Sequence, residues 1–210
     1  PPVRLITKIG VDAYGEALLA ELKRDGIDTR WVARAKEGEA TPTSVILVNG
    51  SSRTIVHDPG LMASAPLQPG EVDLEAALSG ASLLHLDGRH PALALHAAKC
   101  ASSAQVDILL DCERPREGLT DLLALATYVV SSADFPQKLN PQLPDDDQKK
   151  AEYVLSLCPN AKWVCLTLGE RGCLVVMRHG KYRVVDIPAE QGTSVRDTTG
   201  AGDAFVGAVA

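Results

Sequence analysis

From residue 82 onward the chain alternates short apolar runs with helix-length amphipathic segments, and this alternation limits the folds open to it. Strand-like runs cover residues 82–86, 106–110, 128–131 and 162–166. Helix-like segments cover 91–103, 117–126 and 146–157. Strands separated by helices form parallel sheets with right-handed crossovers, sheathed by those helices. Two further β-rich runs, 173–177 and 182–185, are joined by Arg178-His179-Gly180-Lys181 and read as a hairpin. The expected class is therefore α/β. In such sheets ligands bind beyond the C-terminal ends of the strands. Asp87, Arg89, Asp111, Glu113 and Thr167 stand at those ends.

The first third is less regular. Residues 3–9 read as a strand. Asp12 is placed to cap a helix with Ala17, Leu18, Leu19 and Leu22 as its apolar stripe, and Gly26 to stop it. Residues 27–32 read as a second extended piece. Two β-branched runs, 43–48 and 53–57, flank Asn49-Gly50-Ser51-Ser52, a strong hairpin signal. This hairpin interrupts the alternation, so it is expected to stand off the main sheet as a lid or a dimer contact. The acidic, Pro-containing stretch 141–147 reads as a solvated loop.

The chemistry concentrates near the end of the chain. Gly200-Ala201-Gly202-Asp203 opens an apolar, small-residue segment that reads as a helix. Glycines ahead of a helix allow a ligand close to the backbone, and the free N–H groups of the helix N-terminus favour an anion. Asp203 would lie in the first turn beside that anion. A phosphoryl cradle with a fixed carboxylate is what phosphoryl transfer to an alcohol requires, the carboxylate taking the hydroxyl proton. Capping and the helix dipole alone would also favour this composition. Thr167-Leu168-Gly169-Glu170-Arg171-Gly172 follows a strand and reads either as a tight turn or as a phosphate loop.

Other readings fail. No G-x-x-x-x-G-K-[ST] occurs, and the G-x-G at Gly200 is followed by Phe205 where a dinucleotide fingerprint needs glycine. A net charge of −6 without a Lys/Arg run argues against nucleic acid as partner, and every apolar stretch is too short for a membrane span. The five cysteines form no C-x-x-C pair and read as reduced intracellular thiols. The five histidines are scattered and give no H-E-x-x-H site.

The string Asp197-Thr198-Thr199-Gly200-Ala201-Gly202-Asp203-Ala204-Phe205 resembles the signature of the pfkB family of carbohydrate kinases. Gly10-Val11-Asp12-Ala13-Tyr14-Gly15 and Gly26-Ile27-Asp28-Thr29 resemble a further family pattern. The segments 53–58, 85–89, 113–117 and 129–132 look like the ketohexokinase branch, in the same order. The resemblance implies a ribokinase-like fold: a three-layer, parallel-type sheet flanked by helices, with a small β lid over the sugar. It implies Asp203 as catalytic base and Gly200, Ala201 and Gly202 as an anion hole. Thr167, Gly169 and Gly172 would lie over the nucleotide phosphates, and Arg89 near the transferring phosphoryl group. Asp197 and Thr199 would lie at a monovalent-cation site, with K⁺ as occupant. ATP and Mg²⁺ are the implied cofactors, a sugar the implied substrate, and a homodimer through the lid the implied partner.

Two departures qualify this. Many members carry N-x-x-E after the strand ending near Ser131, tied to magnesium and phosphate. Here Ser132-Ala133-Asp134-Phe135-Pro136 stands in its place, and Asp134 reads as a substitute or as a helix-start residue. The chain also begins Pro1-Pro2 and ends at Ala210, and reads as cut at both ends, outside which the family keeps its sugar-holding residues and most of its adenine pocket. The kinase domain is expected over 1–32 and 62–210, incomplete at both ends, with the lid over 33–61. The expected compartment is the cytoplasm, or an organelle such as a plastid where a preceding segment carries a transit peptide. A nucleoside kinase of the same family, a non-catalytic member and an inactive fragment are the rival readings.

Overall fold

The computed structural model describes residues 3–49, 52–61, 65–179, 181–192, 195 and 198–210. Residues Pro1–Ser79 form one compact unit and Gly80–Ala210 another.

The first unit contains β1 (Thr7–Ile9), α1 (Ala13–Arg24), β2 (Val32–Arg34), β3 (Thr43–Asn49), β4 (Ser52–Asp58) and α2 (Leu74–Leu78). Strands β1 and β2 pair in parallel, and an Arg4–Asp28 bridge precedes them. The strand expected over 3–9 is thus regular only at its end. Asp12 caps α1, as its side chain accepts from the Gly15 N–H at 2.7 Å. It also accepts from both the N–H and the hydroxyl of Thr41, each at 2.7 Å, while the Thr41 hydroxyl oxygen accepts from the Gly10 N–H at 2.9 Å. A Cβ on Gly10 would stand 2.4 Å from the Thr41 nitrogen, and one on Gly15 2.4 Å from the Gly10 oxygen. The G-x-D-x-x-G spacing therefore builds a backbone clasp.

Strands β3 and β4 form a separate two-stranded antiparallel sheet, as expected. Asn49 pairs with Ser52, so the connection is two residues and not four, and the Gly50-Ser51 turn itself lies outside the described residues. Side chains alternate across a ribbon. Val45, Leu47 and Val56 on one face and Ile46, Val48 and Ile55 on the other are all exposed, from 43% to 67%.

The second unit contains β5 (Leu83–Leu86), α3 (Pro91–Ser103), β6 (Asp107–Cys112), α4 (Leu119–Leu125), β7 (Tyr128–Ser132), α5 (Phe135–Leu139), α6 (Asp147–Leu157), β8 (Trp163–Thr167), β9 (Cys173–His179), β10 (Lys181–Ile187) and α7 (Ala201–Val209). One six-stranded sheet runs β10-β9-β8-β7-β6-β5. Strands β5 to β8 are parallel, whereas β9 and β10 are antiparallel. The sheet is thus mixed: the βα repeat supplies its parallel part, and the antiparallel part ends in the hairpin read from the sequence. The reason is local: a single 3₁₀ turn, Gly169–Arg171, links β8 to β9, and a parallel return needs a crossover of about a dozen residues. Helices α3, α4 and α6 bury Ala98, Leu122 and Leu155 against one face. On the other, Phe205 and Val206 of α7 pack on Leu109, Val130, Cys165 and Cys173. Three layers result. No helix among the described residues is long and apolar enough to cross a membrane, and the five cysteines are unpaired.

Candidate active site

The site follows from strand register. Asp111 pairs with Val130, Val130 with Cys165, and Ser132 with Thr167. Leu86 pairs with Leu110, which places Asp87 beside Asp111. Alternate residues share a face. Leu83, Leu109, Tyr128, Val130, Trp163 and Cys165 therefore form the apolar part of the face beneath α7. Toward the strand C-termini the same face turns polar, with Asp87, Asp111, Glu113, Ser132 and Thr167.

The head of α7 belongs to this polar end. Gly200 is its N-cap in the left-handed region, φ 76°, which only glycine adopts without strain. Asp203 follows in the first turn, on the same helix side as buried Val206. Its charge reaches His85 and Asp111, and so bridges strands β5 and β6. Asp111 responds to this crowding. Burial first, then the charges of Glu113, Asp203 and Asp87, push its carboxyl up to about 6.

The three residues expected to form an anion hole are unequal. The Ala201 N–H donates to the Thr198 oxygen at 3.1 Å, closing a turn, and is spent there. A Cβ on Gly202 would meet nothing within 4 Å, so an anion has room against its backbone. Thr199 is exposed just ahead of the cap, while Asp197 lies outside the described residues.

The Thr167–Gly172 turn is likewise divided. Gly169 has φ 62° and open space where a side chain would stand. Gly172 is enclosed: its N–H donates to the Gly169 oxygen at 3.0 Å, its oxygen accepts from Leu168, and a Cβ would lie 2.0 Å from the Ile187 oxygen. Its backbone groups are engaged within the protein, so close packing explains this glycine. The Thr167 hydroxyl contacts the Ser131 oxygen at 3.4 Å.

Arg89 projects into solvent, 60% exposed, with its guanidinium 3.2 Å from the Asp87 carboxylate. Asp134 is committed: it accepts from the Ser132 hydroxyl at 2.5 Å and pairs with Lys138 at 2.7 Å, and the Lys138 bond leads in holding its carboxyl below the ordinary value. It serves as a helix-start residue. Among the described residues no three His, Cys, Asp or Glu side chains are placed to hold a metal ion.

Asp87, Asp111 and Glu113 were legible only as polar residues at strand ends. The signal that marks them as one cluster is the period-two continuation, His85-x-Asp87 and Asp111-x-Glu113, of strands whose other residues are apolar.

Comparison with known proteins matches residues 2–210 to the profile described as pfkB family carbohydrate kinase. An uncharacterised sugar kinase of Archaeoglobus fulgidus is 28% identical over 205 residues, covering 95% of this chain and 78% of that protein. Mouse ribokinase is 28% identical over 216 residues, covering 98% of this chain and 64% of that protein. A ribokinase II described from E. coli, solved with ATP and Mg²⁺, superposes with a TM-score of 0.77 at 22% identity, over 99% of this chain and 68% of that one. This likeness shows the ribokinase fold. The chain spans about two thirds of the length of most of the curated relatives it matches.

Proposed function

The chain belongs to the pfkB family of carbohydrate kinases, and from that premise we propose that it acts in moving the γ-phosphoryl group of ATP to a hydroxyl of a sugar. The observation that carries this reading is Asp203 in the first turn of α7, beside the open backbone of Gly202 and over the polar end of the sheet. Asp203 takes the proton of the attacking hydroxyl. The first-turn N–H groups and the dipole of α7 offset charge on the phosphoryl group, which has room against the backbone of Gly202. Gly169 lets nucleotide phosphate approach the turn after β8, Thr167 stands at its base, and Arg89 is exposed and long enough to add a guanidinium. Asp197 and Thr199 are kept as the monovalent-cation residues, with K⁺ as occupant.

Backbone with no side chain above it at Gly169 and Gly202 fits the phosphates of ATP. Bound Mg²⁺ supplies charge neutralisation on those phosphates and is carried chiefly by the nucleotide. The relatives named sugar kinase and ribokinase favour a sugar over a nucleoside as acceptor. The β3–β4 hairpin, apolar on both faces, is the proposed lid and the surface on which a second copy docks.

The test is ADP release over a panel of aldoses, ketoses and nucleosides with Mg-ATP. Sugar-dependent release supports the reading. Release with nucleosides alone would overturn the sugar assignment, and no release with any acceptor would overturn the kinase assignment.

A further inference from the structure

We propose that Asp147 and Arg171 form a positioning pair that holds the turn after β8 in its phosphate-accepting shape. The inference rests on the reading of that turn as a nucleotide contact. Arg171 lies in the 3₁₀ turn Gly169–Arg171, and its guanidinium donates to Asp147 at 2.7 Å, 24 residues away at the start of α6. Asp147 is the pair's fixed half, its side chain only 20% exposed. Lys150, one turn further along α6, is 4% exposed, and its ammonium lies 2.6 Å from Asp145 and 3.8 Å from Asp147. A buried ammonium is retained only with such partners. The acidic stretch before α6 is therefore the anchor of a charge chain, Asp145–Lys150–Asp147–Arg171, that ends on the turn.

The far end of α6 is held by β9. Arg178 of β9 donates to the Leu155 and Cys158 oxygens at 2.6 and 2.9 Å. The two arginines flank the start and end of one strand and fasten opposite ends of one helix. The turn between Thr167 and Cys173 is thereby tied to a rigid element rather than to its own three residues. This matters because Gly169 is conformationally permissive, and an untethered glycine turn spreads over many shapes. If loss of the pair leaves the accepting shape populated about a tenth of the time, apparent affinity falls about tenfold.

The pair acts through the turn, so both partners must matter. Mg-ATP is titrated calorimetrically into the full-length wild-type protein and into its Arg171→Ala, Arg171→Lys and Asp147→Asn variants, with amide hydrogen exchange recorded on each. The expected result is roughly five- to tenfold weaker binding for both Arg171→Ala and Asp147→Asn, partial recovery with Arg171→Lys, and faster exchange confined to residues 168–172. Unchanged affinity in both variants would overturn the inference while leaving the nucleotide reading standing. Loss in Arg171→Ala with none in Asp147→Asn would make Arg171 a direct phosphate contact and also overturn it. Absence of Mg-ATP binding by the full-length protein would overturn the nucleotide reading and the inference together. Exchange that quickens throughout α6 and β8 would mark a general loss of stability and count against positioning.

Discussion

Asp111 near the end of β6 faces Asp203 at the head of α7 across the polar end of one sheet face; burial first, then Glu113, Asp203 and Asp87 push its carboxyl up to about 6. A carboxyl whose folded value lies above its unfolded value of 3.8 binds its proton more tightly in the folded state. Its stability penalty is therefore absent below pH 3.8, grows as pH rises, and is complete above about 6. Asp111→Asn removes that penalty. It is expected to stabilise the protein by about 1–2 kcal/mol at pH 8, after allowance for partial exposure, and by almost nothing at pH 4. Urea unfolding at the two pH values measures this, and equal destabilisation at both would refute it.

Gly172 and Gly169 predict opposite tolerances. Alanine at Gly172 would drive its Cβ to 2.0 Å from the Ile187 oxygen at φ 97°, and a loss of about 3 kcal/mol or more is expected. Alanine at Gly169 meets open space at φ 62° and should cost only the left-handed strain of about 1–2 kcal/mol. Chemical denaturation of the two variants checks the ranking.

Asp12→Ala removes the acceptor for Gly15 and for both donors of Thr41. The expected effect is a loss of stability, from a lost cap and stranded donors. Hydrogen exchange should quicken at the Gly15 and Thr41 amides first. Unchanged protection there would show that the clasp is dispensable.

Leu47→Glu places a charge on the exposed ribbon without entering a core. If a second copy docks on the hairpin, sedimentation should show a dimer in the wild type and a monomer in the variant, with the melting temperature of the monomer little changed. A wild type that stays monomeric at all concentrations would remove the dimer assignment.

The βα alternation was legible because each strand from 83 to 167 is a compact apolar run and each intervening helix is long enough to show its period. Helix Leu74–Leu78 was missed because five residues hold barely one turn, and Phe135–Leu139 was legible only as a helix start at Asp134. The strand pairings around Ser52 and Lys181 are tighter than the turn residues implied, because Asn49 and Ser52 in one hairpin and His179 and Lys181 in the other belong to the ladders themselves. At the site, Gly200 to Asp203 were legible as a local string. The Asp145–Lys150–Asp147–Arg171 chain was not, because its partners meet only once α6 lies on the strands. The state of Asp111 was equally hidden, being set by charges from three separate segments. Gly172 carries a second constraint that the motif alone did not show: the Ile187–Ala189 backbone lies against it.

The account turns on Asp203 as the base, and Asp203→Asn measures it most directly. The amide is nearly isosteric, so fold and Mg-ATP affinity should persist, while kcat on the acceptor sugar should fall by about 10²–10⁴-fold with KM for ATP nearly unchanged. A variant that retains near-normal kcat would contradict the assignment and leave Asp203 as a first-turn carboxylate favoured only by the dipole of α7.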